Sequence, residues 1–257
     1  MAIKLLVNAI AGGGKTSLLE SMGEDTFVIS RDGKSFGFPI PHMLVDAYYG
    51  MDMFLNGGTI ADEDGEQVAV EGITDKLEAY QEKFGKLPTN VVFDSVSQVT
   101  LDVLEKASQT PDSWGSQGKE ITKELATFTQ FIHEVIELND MNVIMMNHVT
   151  EEKDEGKFTG VLLPFGQGQF KNKGAFYATV NESVTLVPKG NDRQVILRGT
   201  EKQARTTCKE LPDTMWVKNI NNPEKSKRLK EGEEYFNLQE HMNYLTSKQQ
   251  DVKKWAF

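Results

Sequence analysis

Apolar positions along this chain change period several times, and the changes mark out its elements. Ile3, Leu5, Leu6 and Val7 form the short β-favouring run of a buried strand, followed by a glycine-rich turn. After that turn Ser17-Leu18-Leu19-Glu20 can begin a helix. Thr26–Ser30 reads as a second strand, ending in the polar Arg31-Asp32-Gly33-Lys34. Ile73, Leu77, Tyr80 and Phe84 recur at helical spacing until Gly85 and Pro88, which predicts a covering helix. Asn90–Ser95 is an apolar strand ending in a carboxylate, and 97–109 reads as a helix. Ile121, Leu125, Phe128, Ile132 and Val135 make the core stripe of another helix, ending near Asn139-Asp140. Asn142–Val149 is the next buried strand, with His148 at its end. Ser183–Val187, Gln194–Arg198 and Met215–Ile220 read as closing strands, antiparallel because their connections are short. The whole is an α/β pattern.

Three stretches are less regular. Between Phe36 and Gly72, Pro39 and Pro41 break structure, and Asp62-Glu63-Asp64-Gly65-Glu66 resembles a solvated hairpin turn before Gln67–Val70. Pro111–Gly118 reads as a loop exposing one large aromatic, Trp114. Thr150–Gly174 has the composition of a mobile loop. After Pro223, a charged segment leads to Leu238, Met242, Leu245 and Val252, a helical stripe that packs back or meets a partner. These features divide the chain into a core over 1–220 and a C-terminal helical tail over 221–257, the tail ending in Trp255 and Phe257.

Composition narrows the class. With 257 residues and 39% hydrophobic content, one large α/β domain or two small ones can form. The single cysteine, Cys208, excludes an intrachain disulfide framework and a multi-cysteine zinc site, so a reducing compartment fits. The N-terminal apolar run is interrupted at Asn8, unlike a secretory signal, and no stretch approaches the roughly 20 apolar residues of a membrane span. The expectation is a soluble, cytoplasmic protein. A net charge of −10 argues against indiscriminate polyanion binding and leaves local basic patches as the place to look for nucleic-acid contact.

The chemistry starts in the turn Ala9-Ile10-Ala11-Gly12-Gly13-Gly14-Lys15-Thr16, set between strand and helix. Gly12, Gly13 and Gly14 let the backbone curl so that successive N–H groups point at phosphate oxygens, reinforced by the helix N-terminus at Thr16 and Ser17. Lys15, read here as a solvated cation, neutralises the outer phosphates of the ligand, and Thr16 supplies a hydroxyl for Mg²⁺. Ala9 stands where the full G-x-x-x-x-G-K-[ST] pattern has glycine. Asp94, at the tip of a buried strand, can hold the Mg²⁺ shell through water. Asp32 also ends a strand and is either a contact to Mg²⁺ or the attacking water, or a turn aspartate before glycine. His148 either caps the sheet or hydrogen-bonds the γ-phosphate. In Thr150–Gly174, Lys153, Lys157, Phe158, Phe165, Phe170, Lys171 and Lys173 interleave cations with rings. That mixture suits single-stranded nucleic acid, although Glu151, Glu152, Asp154 and Glu155 oppose the charge as they would in a plain surface loop.

This order of motifs resembles the RecA-like recombinases over about 3–220, and within them the compact phage ATPases that assist single-strand annealing. The resemblance implies a RecA-like P-loop core: a mostly parallel central sheet flanked by helices and closed by antiparallel strands. It also implies that Lys15 and Thr16 bind phosphates and Mg²⁺, Asp94 is the Walker B carboxylate, and His148 replaces a sensor glutamine. The segments 111–119, with Trp114 and Lys119, and 150–174 correspond to two DNA-binding loops. Lys202 and Arg205 resemble cations that such filaments insert into a neighbour's site. No glutamate stands where a catalytic base is expected, and Asp32 is the nearest substitute. The implied activity is DNA-stimulated ATP hydrolysis in recombination or repair, by a homo-oligomer or filament that works with a single-strand-binding protein or another recombination factor. Two alternatives use the same loop: a nucleotide or small-molecule kinase, and a nucleotide-switched loader that does not bind DNA. Such kinases close an arginine-bearing lid over their substrates, whereas the long loop here carries no arginine.

Overall fold

The computed structural model describes residues 2–33, 35–109, 114–151, 153, 155–160, 180–190, 192–217 and 235–253, and for 114, 158–160 and 251–253 the backbone alone. In chain order the strands and helices begin with β1 (Lys4–Ala9), α1 (Lys15–Leu18), β2 (Thr26–Ser30), β3 (His42–Leu44) and α2 (Met51–Asn56). There follow β4 (Gly58–Ala61), β5 (Gln67–Val70), α3 (Ile73–Phe84), β6 (Asn90–Asp94), α4 (Val96–Ser108) and α5 (Trp114–Phe131). The rest are β7 (Asn142–Glu151), β8 (Phe158–Gly160), β9 (Glu182–Lys189), β10 (Asp192–Ile196), β11 (Thr214–Val217), β12 (Tyr235–Phe236) and α6 (Leu238–Lys253). The protein is thus α/β, with mostly parallel strands flanked by helices and an antiparallel closing group. Two compact units divide the chain: Met1–Gly23 with Phe36–Ile40 and Ile144–Phe257, and Glu24–Ser35 with Pro41–Val143.

In the first unit the strand order is β12-β11-β10-β9-β1-β7. β1 is buried from Leu5 to Ala9, as its unbroken apolar run requires, and pairs in parallel with β9 from Leu5↔Glu182 to Ala9↔Leu186. β9, β10 and β11 are joined antiparallel. The helix after the glycine turn starts two residues earlier than the sequence suggests and is short: α1 gives way to a 3-10 turn over Leu19–Ser21, and the chain is extended at Met22. α6 packs against that turn, with Leu238, Met242 and Leu245 buried. The expected tail stripe is therefore part of this unit, apart from Val252, whose side chain lies outside the described residues.

The second unit contains the parallel set β6-β2-β3, with Ile29 opposite both Phe93 and Met43. α3 spans the predicted residues. Its start is held by Asp75, which accepts the Gly72 N–H at 2.8 Å, and its end by Gly85 at φ +73°. β4 and β5 form the acidic hairpin, whose turn is tied by Asp62 accepting the N–H groups of Asp64 and Glu66. α2, which no sequence pattern announced, starts where Glu124 accepts the Met51 N–H at 2.5 Å. Phe93 and Phe128 meet edge to face at 5.0 Å in the core.

Two expectations for this unit are corrected. The segment Trp114–Gly118, read as a loop, is the first turn of α5, and 111–113 lie outside the described residues. The core stripe of α5 ends on buried Ile136 and not on Val135, because a π-helical turn over Ile132–Ile136 widens the last turn by one residue. Among the described residues no helix is long and apolar enough to cross a membrane.

His241, on α6, is buried beside Phe236 with ring centroids 5.1 Å apart, and burial pulls its pKa down from 6.5 to about 4. The unfolded chain therefore binds this proton more readily than the folded one. The contribution of His241 to stability is complete above pH 6.5 and is lost as pH falls towards 4, roughly 3 kcal/mol in all. Urea titrations at pH 7 and pH 4.5 should show the loss, and His241→Phe should be distinctly less sensitive to the same step. Equal pH dependence in parent and variant would refute the assignment.

Candidate functional site

The first unit carries its chemistry where β1 leaves the sheet. Past Ala9 the chain turns at once, with the Gly13 N–H donating to Ile10 O at 2.9 Å. The three glycines are required for two reasons. Gly12 and Gly14 lie at φ +70° and +88°, where L side chains are strained, and a Cβ on Gly13 would come within 2.9 Å of Ile10 O. Gly14 also opens α1 without offering it a side-chain cap. The turn sits over a small apolar cluster in which Ile10 and Ile196 pack on Val149 and Val187.

Lys15 is not the solvated cation expected of a loop end. Its side chain is 5% exposed, and its Nζ lies 3.0 Å from His148 Nδ1 and 3.5 Å from Ala9 O. The ammonium can only donate, so His148 accepts at Nδ1 and carries its own proton on Nε2. His148 is not the last residue of its strand, as β7 runs on to Glu151, and it is the interior of β7 that meets the end of the glycine turn. Thr16 and Ser17 follow, both half-buried.

Beneath this meeting point lies a buried polar ladder. Asn147, the residue before His148, donates from Nδ2 to Asn8 Oδ1 at 2.7 Å, and Asn8 Nδ2 donates to Ser183 Oγ at 3.2 Å. Ser183 Oγ donates in turn to Gln203 O at 2.5 Å. Asn8 was read from the sequence only as a break in an apolar run. In the fold it fixes the register of β7, β1 and β9 under the turn.

Arg193 is the residue that sequence reasoning missed. It stands on β10 opposite Pro188, and its guanidinium covers Gly14: a Cβ there would lie 2.2 Å from Cζ and Nη1. Among the described residues this guanidinium makes no hydrogen bond or ion pair. No local signal marks it, since its partner is a glycine far away in the chain.

Lys202 and Arg205 are placed apart from the turn. Lys202 pairs with Glu151 at 3.1 Å and also bonds Gly156 O, while the Arg205 guanidinium donates to Val180 O. Lys157 pairs with Glu155. β7 and β8 form an antiparallel hairpin, so the chain after His148 is strand to Glu151 and again over Phe158–Gly160. Phe165, Phe170, Lys171, Lys173 and the side chains of Trp114 and Phe158 lie outside the described residues; Lys119 is exposed on α5. Cys208 is buried, and burial together with Glu182 raises its thiol pKa, which suits a bystander.

In the second unit the carboxyl ends of β2 and β6 converge. Asp94 is buried, its carbonyl accepts the Arg31 N–H at 2.8 Å, and the next residue, Ser95, donates from Oγ to Asp32 Oδ1 at 2.9 Å. Arg31 forks onto Asp102 at 2.7 and 3.2 Å, and Glu124 binds Lys106 at 2.7 Å and the Tyr48 hydroxyl at 2.7 Å. Arg31, Tyr48, Asp102 and Lys106 line a cavity of about 440 Å³, but these groups are spent on one another. Among the described residues no group of three or more His, Cys, Asp or Glu side chains gathers to hold a metal by itself. A hard cation here would need ligand oxygens as well, the ordinary situation of Mg²⁺ on a nucleotide.

The glycines of the turn give a direct test. Gly23→Ala, at an ordinary φ with open space around it, should leave stability unchanged. Gly12→Ala adds left-handed strain alone, about 1–2 kcal/mol. Gly14→Ala adds the same strain and pushes aside only the flexible end of Arg193, so it should fall close to Gly12→Ala and below Gly23→Ala in urea titrations. No protein-family model matches the chain, and no curated protein matches it.

Proposed function

We propose that this chain is a P-loop ATPase of the RecA-like kind, using ATP and Mg²⁺ to control its hold on single-stranded DNA. The observation that carries the reading is the turn itself. Its left-handed glycines end at a lysine held under the loop by His148, and a curled backbone beside a buried ammonium is what phosphate oxygens call for.

In this reading the loop amides hold the β- and γ-phosphates and Lys15 neutralises them. His148, with Nδ1 occupied by Lys15, offers its Nε2–H to a γ-phosphate oxygen. Mg²⁺ bound with the nucleotide would supply charge neutralisation for phosphoryl transfer, the candidate residues for it being Thr16 in the first unit and Asp94 in the second. Asp32 is the candidate for orienting the attacking water. The water oxygen bonds to the γ-phosphorus, the bond to the bridging oxygen breaks, and ADP, phosphate and a proton are released. Single-stranded DNA is assigned to the segment from Thr150 to Gly174, whose lysines track phosphates and whose rings stack on bases. Because that segment follows His148 directly in the chain, occupancy by nucleotide and by DNA should be linked reciprocally.

Lys15→Ala should abolish ATP binding in calorimetry and abolish turnover, while the protein still unfolds in one cooperative transition. Wild-type turnover in this variant would remove the site. Turnover measured with and without single-stranded DNA separates the alternatives: a kinase needs an acceptor molecule, and a loader does not respond to DNA.

Phe165→Ala with Phe170→Ala should weaken oligonucleotide binding, each base stack contributing roughly 1–3 kcal/mol. Lys171→Ala with Lys173→Ala should flatten the salt dependence, by about 0.7 in the log–log slope per lost contact. Fluorescence anisotropy across a salt series, with and without an ATP analogue, checks both. Parent-like binding in both double variants, with nucleotide binding retained, would favour the loader.

A further inference from the structure

We propose that Arg193 contacts the outer phosphates of the nucleotide held by its own loop, so that each chain carries its charge-neutralising arginine in cis. This rests on the phosphate-site reading and deepens it. The topology places the residue. β9 stays in register with β1 only as far as Leu186 opposite Ala9, then runs on through Val187 and Pro188. The chain reverses at Gly190, φ +68°, and β10 returns with Arg193 opposite Pro188. The hairpin therefore overhangs the point where β1 ends, and Arg193 comes down on Gly14.

The contact is close enough that only glycine admits it. A Cβ on Gly14 would lie 2.2 Å from Cζ and Nη1 and 2.7 Å from Nε. Gly14 thus meets two demands, a left-handed φ and room for a guanidinium. Arg193 is half-buried against this backbone, and among the described residues no carboxylate neutralises it. Lys15 brings a second cation to the same turn. Two cations beside the glycine turn repel one another and favour an anion between them. Lys202 and Arg205, which the family resemblance would send into a neighbour's site, are engaged within their own chain by Glu151, Gly156 O and Val180 O.

The guanidinium carries donors only and hydrogen-bonds oxygens whose charge rises as the γ-phosphorus leaves the bridging oxygen. Charge neutralised in this way should speed transfer more than it tightens binding.

The test uses the full chain with Arg193→Ala, Arg193→Gln and Arg193→Lys. A fluorescent ATP analogue measures binding, and single-turnover hydrolysis of ATP measures transfer. The alanine and glutamine variants should lose turnover on the order of a thousandfold while analogue binding weakens about tenfold or less, and lysine should recover part of the rate. Mixing Arg193→Ala chains with Lys15→Ala chains should restore nothing, because a cis arginine cannot serve a neighbour. Recovered turnover on mixing overturns the cis assignment. Parent-like turnover in both the alanine and glutamine variants overturns the contact, while intact analogue binding leaves the phosphate site standing. A parent chain that does not bind the analogue overturns both.

Discussion

The first unit depends on one backbone constraint: the chain must leave β1 at Ala9 and reverse within a few residues through two left-handed glycines. That turn decides where Lys15 starts α1. Starting there, the lysine side chain runs back beneath the loop to Ala9 O and His148 Nδ1. Burying an ammonium is costly unless it is hydrogen-bonded, so His148 is as much a structural partner of the loop as a group that could read its contents. The Asn147–Asn8–Ser183 ladder holds the strand ends in step beneath. A shift of β7 by one residue would break the ladder and turn His148 to the other face of its strand.

The second unit is organised by buried charge. Burial pushes the Glu124 carboxyl up, yet its hydrogen bonds with Lys106, Tyr48 and the Met51 N–H outweigh burial and hold it below its ordinary value. Burial and then the hydrogen bond to Glu124 raise the Tyr48 phenol. Buried pairs of this kind add little net stability over apolar residues but are costly to break singly, so they favour one arrangement over its alternatives. Here they pin the segment of Tyr48 and Met51 to α4 and α5, where the sequence shows no hydrophobic period. The Arg31–Asp102 fork likewise anchors the end of β2 beside Asp32.

Local signals were legible and distant ones were not. The period of Ile73 to Phe84 with its terminal glycine, the apolar runs of β1, β6 and β7, and the glycine turn before Lys15 each involve residues close in sequence. Backbone sterics and side-chain periodicity determine such features whatever the rest of the chain does. The sequence by itself therefore determined the α/β class, most of the strands and the loop. Only the tertiary structure decided that Lys15 is buried against His148, that Asn8 is the hub of a polar ladder, that Ser95 binds Asp32, and that Arg193 covers Gly14. Each of these pairs residues far apart in the chain through sheet register and hairpin length, and no window of neighbouring residues contains that information.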